Sequence, residues 1–598
     1  MSSQFTKVPI WSSTPNAELP LADAVENDVI NKSFNVEQEA ALEHLTGHHV
    51  INAGAGTGKT TCLVARTRKI LETYPESRVL LISFTKKAAE EIRQRIGSTS
   101  NITVSTFHSL SFNVLKSAGI RYQVTTSETM QDALISKIIG LRNTTTDEVK
   151  KSLRQINVTH EDTIAVREEY LTYLREHRLV TFDTMLLYSL LLLQGNEAVL
   201  RAWQEKFDYF LVDEWQDVDQ VQWELIHLLA QRTGNLTVAG DARQAIYSFR
   251  NNLPFSIARF AETATRYDLT VNYRCNRAIL GLGNRIMSKE KPLLAAVDNP
   301  APIWPRYLMA ADMKDEAKEV ANEIVALHKE GIAYKDMAVL FRSCSASSQI
   351  VQELLRRKIP AVSKGAVSLP HNKPPYCGIV RLFRFMLAPD DKEKFKAIMP
   401  VLYLRKGLLK EVVALSVKNG CTLMEATQKL DIPHFHREYI EELSEAITAA
   451  KKMRPSEAAL HLLQHGYGKY VGPEMTESVR NIANNLNDYP FITAYLNFID
   501  DLQEQAEEMK KLTATSTDYI QLMTIHAAKG KEWNTVFLIG AQDGVLPSAH
   551  EGTDLDEERR LLYVAVTRAK ERLYISYPRL SEKHSEPNEV SRFLREIF

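Results

Sequence analysis

The sequence predicts an α/β fold: two α/β domains in tandem, each interrupted by a mostly helical insertion. Three observations carry that prediction. A Gly-rich loop near the N-terminus separates a short apolar run from a run with helical period. Short strand-like runs alternate with helical ones in two separate parts of the chain. Within each part a long segment shows helical periodicity alone. At 598 residues the chain is long enough for about three to five domain-sized units.

Residues 1–33 are polar, hold three prolines and show weak periodicity, so they read as an extension outside the core. Residues 49–52 read as a buried strand, and 61–74 as a helix with apolar positions at 63, 64, 70 and 71. A strand at 78–83 and a helix at 87–96 follow. Between 109 and 205 the signals are helical only, as at 130–139 and 161–174; strands return at 209–212 and 236–239. The second half repeats the plan, with strands at 269–272, 337–341, 519–524, 535–539 and 572–576. Helical segments, including 439–450 and 491–510, fill about 367–510. These patterns assign the first α/β domain to 34–108 and 190–268 with insertion 109–189, and the second to 269–366 and 511–598 with insertion 367–510.

Composition narrows the function classes. Hydrophobic content of 44% and charged content of 25% are those of an ordinary soluble protein. A net charge of −1 supplies no global basic field, so any nucleic-acid binding must come from local clusters. Cysteines 62, 275, 344, 377 and 421 lie far apart with no C-x-x-C pair, which fits neither a disulfide framework nor a zinc site and suits a reducing compartment. The longest apolar run, 185–193, is about half a membrane span. No basic segment followed by an apolar core opens the chain, so the expectation is a cytoplasmic enzyme.

Ala53-Gly54-Ala55-Gly56-Thr57-Gly58-Lys59-Thr60 is a phosphate-binding loop. Glycines between a strand and a helix N-terminus let backbone N–H groups converge on phosphate oxygens, and the helix dipole favours the anion. Lys59 would reach the β- and γ-phosphates of ATP, and the Thr60 hydroxyl would ligate Mg²⁺. Asp213 and Glu214 follow the apolar strand 209–212; Asp213 is assigned to the metal and Glu214 to the attacking water. Gln244, after the next strand, is placed to touch the γ-phosphate, with Tyr247 and Phe249 beyond it as base-stacking aromatics. Arg274 and Arg568, both in the second α/β domain, would stabilise charge on the transferred phosphoryl and make hydrolysis depend on cleft closure.

In order and spacing these residues resemble a UvrD/Rep-type superfamily 1 helicase, over about 34–366 and 511–578. Phe34-Asn35-Val36-Glu37-Gln38 resembles the Q motif, which implies that Gln38 reads adenine. Residues 83–89 resemble motif Ia and 105–110 motif Ib, which implies single-stranded DNA contacts at Phe84, Thr85, Lys86, Lys87, Thr106 and His108. Residues 213–217, 240–250 and 272–274 resemble motifs II, III and IV, with Tyr273 stacking on adenine. Residues 522–533 resemble motif V, which implies a ribose contact at Glu532 and DNA contacts at Thr524, His526 and Lys529; 557–570 resemble motif VI.

The resemblance implies two RecA-like domains, 1A and 2A, with insertions 1B and 2B. It further implies ATP-driven 3′ to 5′ translocation along single-stranded DNA and unwinding of tailed duplex. Several positions depart from the family pattern. Thr61 stands where an arginine usually sandwiches adenine against the tyrosine, so adenine would rest mainly on Tyr273. Ala242, Arg243 and Phe249 replace two acids and a tryptophan, and Lys531 replaces a leucine. The chain stops some thirty residues after motif VI, without the tail or nuclease domain of some relatives. An alternative reading is a DNA-stimulated ATPase motor subunit of a larger complex, partnered by a nuclease or repair factor and unwinding poorly alone. A kinase or GTPase is disfavoured by the two distant arginine motifs and by the lack of Asn-Lys-x-Asp.

Overall fold

The structure, a computed structural model, describes residues 34–97, 99–247, 256–296, 303–343, 347–363, 376–471, 486–549, 552–580 and 587–597. The expected extension 1–33 and the stacking candidate Phe249 lie outside the described residues.

The first sheet comprises β1 (His49–Ala53), β2 (Val79–Ile82), β3 (Ile102–Ser105), β4 (Tyr209–Val212), β5 (Leu236–Gly240) and β6 (Thr265–Leu269). Its order is β3-β2-β4-β5-β1-β6, and every neighbouring pair is parallel. Side chains alternate between its faces. Val50, Leu80, Ile82, Phe210 and Val212 enter one core, and Ile51, Val79, Leu81, Tyr209 and Leu211 the other. Helices cover both faces, so the inner strands must be apolar throughout.

The second sheet comprises β7 (Arg306–Ala310), β8 (Met337–Phe341), β9 (Ala361–Ser363), β10 (Ile520–Thr524), β11 (Trp533–Leu538) and β12 (Ala569–Pro578). Its order is β7-β12-β11-β8-β10-β9, again all parallel.

The two helical regions relate differently to their sheets. Val166, Tyr170 and Leu174 of Glu161–Glu176 share one continuous core with the strands of the first sheet. The core of the second helical region draws only on residues 376–499, so it packs as a unit of its own. Among the described residues no helix is long and apolar enough to cross a membrane; the apolar run 185–193 lies in the largely buried helix Phe182–Gly195.

Two expectations need correction. The run 269–272 is not a strand of the second sheet. Leu269 ends β6 on β1, whereas Val271–Asn272 pairs with Leu294–Ala295 in a separate ladder. Between them the Glu37 carboxylate accepts from the Thr270 N–H (2.6 Å) and hydroxyl (2.5 Å), which leads the chain out of the sheet. The expected seams at 108/109, 189/190 and 510/511 all fall inside helices: Phe107–Ser117, Phe182–Gly195 and Ile492–Thr515. The first two helices pack together, with the Ser189 hydroxyl donating to the Ser111 carbonyl at 2.9 Å, so that insertion is continuous with its sheet.

Candidate active site

Every functional segment of the first sheet follows the carboxyl end of a parallel strand, the edge where such sheets bind ligands. The phosphate loop follows β1, Phe84 to Lys87 follow β2, Thr106 and His108 follow β3, Asp213 and Glu214 follow β4, and Gln244 follows β5. On the second sheet, Thr524 and His526 leave β10 in the same way.

Ala53 closes β1, and the loop turns into helix Lys59–Thr73 through Gly58, at φ 85°. That left-handed conformation favours glycine, and a Cβ there would lie 2.8 Å from Gln38 Nε2. The Thr57 hydroxyl donates to the Gly54 carbonyl at 2.9 Å, and Asn272 Nδ2 donates to the Ala55 carbonyl at 2.5 Å. A Cβ on Gly56 would meet Arg274 Cβ at 2.6 Å, so the crossover segment 272–274 packs directly on the loop.

At the start of that helix, Lys59 Nζ lies 2.5 Å from Glu214 Oε1 and 3.6 Å from Asp213 Oδ1. The Thr60 hydroxyl donates to Asp213 Oδ2 at 3.1 Å. Glu214 sits at φ 57°, its carboxylate also accepting from Gln216 Nε2. Burial would raise the Glu214 pKa, but Lys59 and Lys529 overcome it and hold the carboxyl at about 2, so Glu214 stays ionised. Burial raises Asp213 despite Lys59. One hydroxyl and one carboxylate are hard oxygen donors that fit Mg²⁺. A site of this kind needs phosphate oxygens and water for its remaining positions. No group of three or more His, Cys, Asp or Glu side chains suited to a metal occurs among the described residues.

Gln244 joins the two halves. Its Nε2 donates to Asp241 Oδ2 at 2.8 Å, and its Oε1 accepts from Arg568 Nη2 at 3.0 Å. Arg568 is 1% exposed and also donates to the carbonyls of Val564 and Lys531. Burial, with Arg274 nearby, lowers its pKa to about 10, still well above neutrality. Arg274 donates to Glu532 Oε2 at 2.6 Å, and Lys570 Nζ lies 2.8 Å from the other Glu532 oxygen. Glu532, expected at the ribose, is therefore the counter-ion of two cations, which hold it near a pKa of about 2 against burial.

The base-side residues also meet. Gln38 is 6% exposed; its Nε2 donates to the Thr57 carbonyl at 3.0 Å and its Oε1 accepts from the Asn35 N–H at 3.2 Å. Thr61 Cβ is 4.0 Å from where a Cβ on Gly58 would sit. The Tyr273 N–H donates to the Gly56 carbonyl at 2.8 Å, while its side chain is 46% exposed.

The expected DNA residues divide into two groups. Thr85, Lys86 and Lys87 are exposed, and Phe84 stacks on Tyr247 with centroids 6.0 Å apart. Tyr247 also donates to the His526 carbonyl at 3.1 Å, and His108 packs edge-on against Phe182. Thr106 is buried, as is the side chain of Lys529. Lys529 turns inward, 7% exposed, with Nζ 2.6 Å from Asp217 Oδ2 and 2.5 Å from the Gln244 carbonyl, because the buried Asp217 carboxylate needs a cation there. Thr106 is 6% exposed and caps Phe107–Ser117 by accepting from the Ser109 N–H; Thr524 caps Ile525–Ala528 in the same way. Asp217, Gln216, Asp241 and Arg560, whose Nε donates to the Ala245 carbonyl at 2.7 Å, carry cluster roles that single-residue reading did not assign.

Two all-parallel sheets in tandem, with a phosphate loop on one and a buried arginine from the other reaching the same cluster, define a tandem RecA-like P-loop ATPase. Residues 34–156 and 125–265 match the UvrD/REP helicase N-terminal domain, and 267–407 and 422–579 the UvrD-like helicase C-terminal domain. The chain belongs to this UvrD/REP helicase family. Similar proteins include the putative ATP-dependent DNA helicase YjcD of Bacillus subtilis, 28% identical across 94% of this chain and 80% of that protein. Others are the ATP-dependent DNA helicase Rep of Escherichia coli, 27% identical across 94% of each chain, and PcrA of Leuconostoc citreum, 28% identical across 95% and 85%.

Proposed function

We propose that this enzyme is an ATP-dependent DNA helicase that moves 3′ to 5′ along single-stranded DNA and displaces the complementary strand. The observation that carries this reading is the buried bond from Arg568 to Gln244, three residues from Tyr247, which joins the phosphate cluster to an aromatic platform. In this mechanism Lys59 leaves the carboxylates for the β- and γ-phosphates, and Thr60 with Asp213 would hold Mg²⁺, which would offset phosphate charge. Glu214, freed from Lys59 with Lys529 still 3.9 Å away, orients the attacking water. Gln244, Arg274 and Arg568 close on the γ-phosphate, and the loop 241–247 carries that closure to Phe84 and Tyr247, between which bases move. Lys86 and Lys87 hold the DNA backbone, with affinity that falls with salt.

The relatives' names, each an ATP-dependent DNA helicase, support the substrate. ATP hydrolysis is measured with and without single-stranded DNA, and strand displacement on 3′-tailed and 5′-tailed duplexes. Stimulation by DNA and displacement of the 3′-tailed duplex alone are expected; hydrolysis indifferent to DNA would sink the proposal. Lys59→Ala should abolish hydrolysis and leave DNA binding largely intact. The near-neutral net charge favours a second reading, a DNA-stimulated motor that needs a partner such as a nuclease. DNA-stimulated hydrolysis without strand displacement would select it.

A further inference from the structure

Asn35 makes two bonds that fit no helix-capping role alone. Its Oδ1 accepts from the Gln38 N–H at 2.8 Å, and the capping box is closed by Gln38 on the Asn35 N–H. Its Nδ2 donates to the Tyr273 hydroxyl at 2.8 Å, across 238 residues of sequence. The amide's other end is thus spent on a ring that lies 46% exposed, with its backbone already pinned to the Gly56 carbonyl. Backbone and phenol held at opposite ends leave the Tyr273 ring little freedom about χ1 and χ2. Thr61, whose Cβ lies 4.0 Å from where a Cβ on Gly58 would sit, offers a short, β-branched side chain with no planar surface. A base entering beside Gln38 therefore has one aromatic wall, and the orientation of that wall decides how well it stacks.

We propose that Asn35 is a positioning residue, holding Tyr273 as the platform for the purine of the bound nucleotide. This rests on the reading that Tyr273 stacks on the base. Preorganising the ring removes an ordering cost from nucleotide binding, so its loss shows in KM rather than in the chemical step. Serine at position 35 still caps the helix but cannot reach the phenol. Phenylalanine at position 273 keeps the ring and removes the acceptor.

The test measures kcat and KM for ATP with the full chain and saturating oligothymidylate, for Asn35→Ser, Tyr273→Phe, their double variant and Tyr273→Ala. One hydrogen bond of ordinary strength predicts a rise in KM of about two- to tenfold for each of the first two, with kcat unchanged. The double variant should match either single one, because both remove the same bond. Unchanged KM in Tyr273→Phe, or effects that multiply in the double variant, would overturn the role of Asn35 while Tyr273→Ala still raises KM. If Tyr273→Ala leaves KM unchanged, the stacking reading itself fails and the inference with it. Should Asn35→Ser lower the melting temperature, Tyr273→Phe still decides the matter, since it leaves the cap intact.

Discussion

At the scale of the residue, the site is organised by cations placed among carboxylates, from the buried Asp213 and Asp217 to the exposed Glu532. Lys59 lies between Asp213 and Glu214, Arg274 and Lys570 share Glu532, and Lys529 serves Asp217 with Glu214 3.9 Å away. Asp217 is 2% exposed, and burial raises its pKa to about 6 even with Lys529 beside it. Removing Lys529 would leave that carboxylate buried without a partner, whereas removing both charges leaves two neutral side chains. Lys529→Met should therefore destabilise its surroundings by about 3–5 kcal/mol, and Asp217→Asn added to it should recover most of the loss. Chemical denaturation of the single and double variants measures this. Equal, independent losses would show that the ion pair does not govern the cluster. Spacing alone could not reveal this partnership, because Lys529 and Asp217 lie 312 residues apart.

At the scale of the element, strand burial explains what was legible. All eight interior strands, β1, β2, β4, β5, β8, β10, β11 and β12, stand out in the sequence as apolar runs. The four that do not are β3, β6, β7 and β9, the edges of the two sheets. An edge strand has fewer neighbours to exclude water, so Thr265–Leu269 carries exposed polar positions that break the apolar pattern, and Arg306–Ala310 leaves Tyr307 and Met309 exposed. Asn35-x-x-Gln38 and Asp219-x-x-Gln222 both form capping boxes. Asp219 is buried and caps Gln220–Ala230, and burial raises its pKa from 3.8 to about 7, with Arg154 lowering and Asp183 raising it. Between those values the folded chain keeps a proton that the unfolded chain has lost, so stability falls as pH rises through that window. Asparagine caps as well as aspartate and does not titrate. Melting temperatures of Asp219→Asn and the parent should diverge in favour of the variant from about pH 4 to pH 7, then run parallel. A constant difference across that range would show that Asp219 does not titrate there.

At the scale of the whole molecule, the segment 241–247 belongs to the first sheet but hangs on the second half of the chain. Lys529 donates to the Gln244 carbonyl, Arg560 to the Ala245 carbonyl and Arg568 to Gln244 Oε1, while Tyr247 donates to the His526 carbonyl. Ala55 and Ile246 lie in the same apolar cluster as Leu561, Leu562 and Met523, so the phosphate loop and this segment pack against the second half together. A change in how the halves meet must therefore reach the phosphates and the aromatic platform at once. Within that arrangement Arg568 donates to Gln244 Oε1 at 3.0 Å, and in the proposed mechanism the two act as one unit at the γ-phosphate. Arg568→Ala should lower kcat by about 10³-fold or more, the range for an arginine supplied across a cleft. Gln244→Ala should cost less, because Arg568 keeps its bonds to the carbonyls of Val564 and Lys531. The double variant should be no slower than Arg568→Ala, since groups that act as a unit are not additive. Steady-state hydrolysis with saturating single-stranded DNA measures all three. Losses that multiply would mean that the two residues reach the phosphate independently, and that closure is communicated through the Lys529 and Arg560 contacts instead.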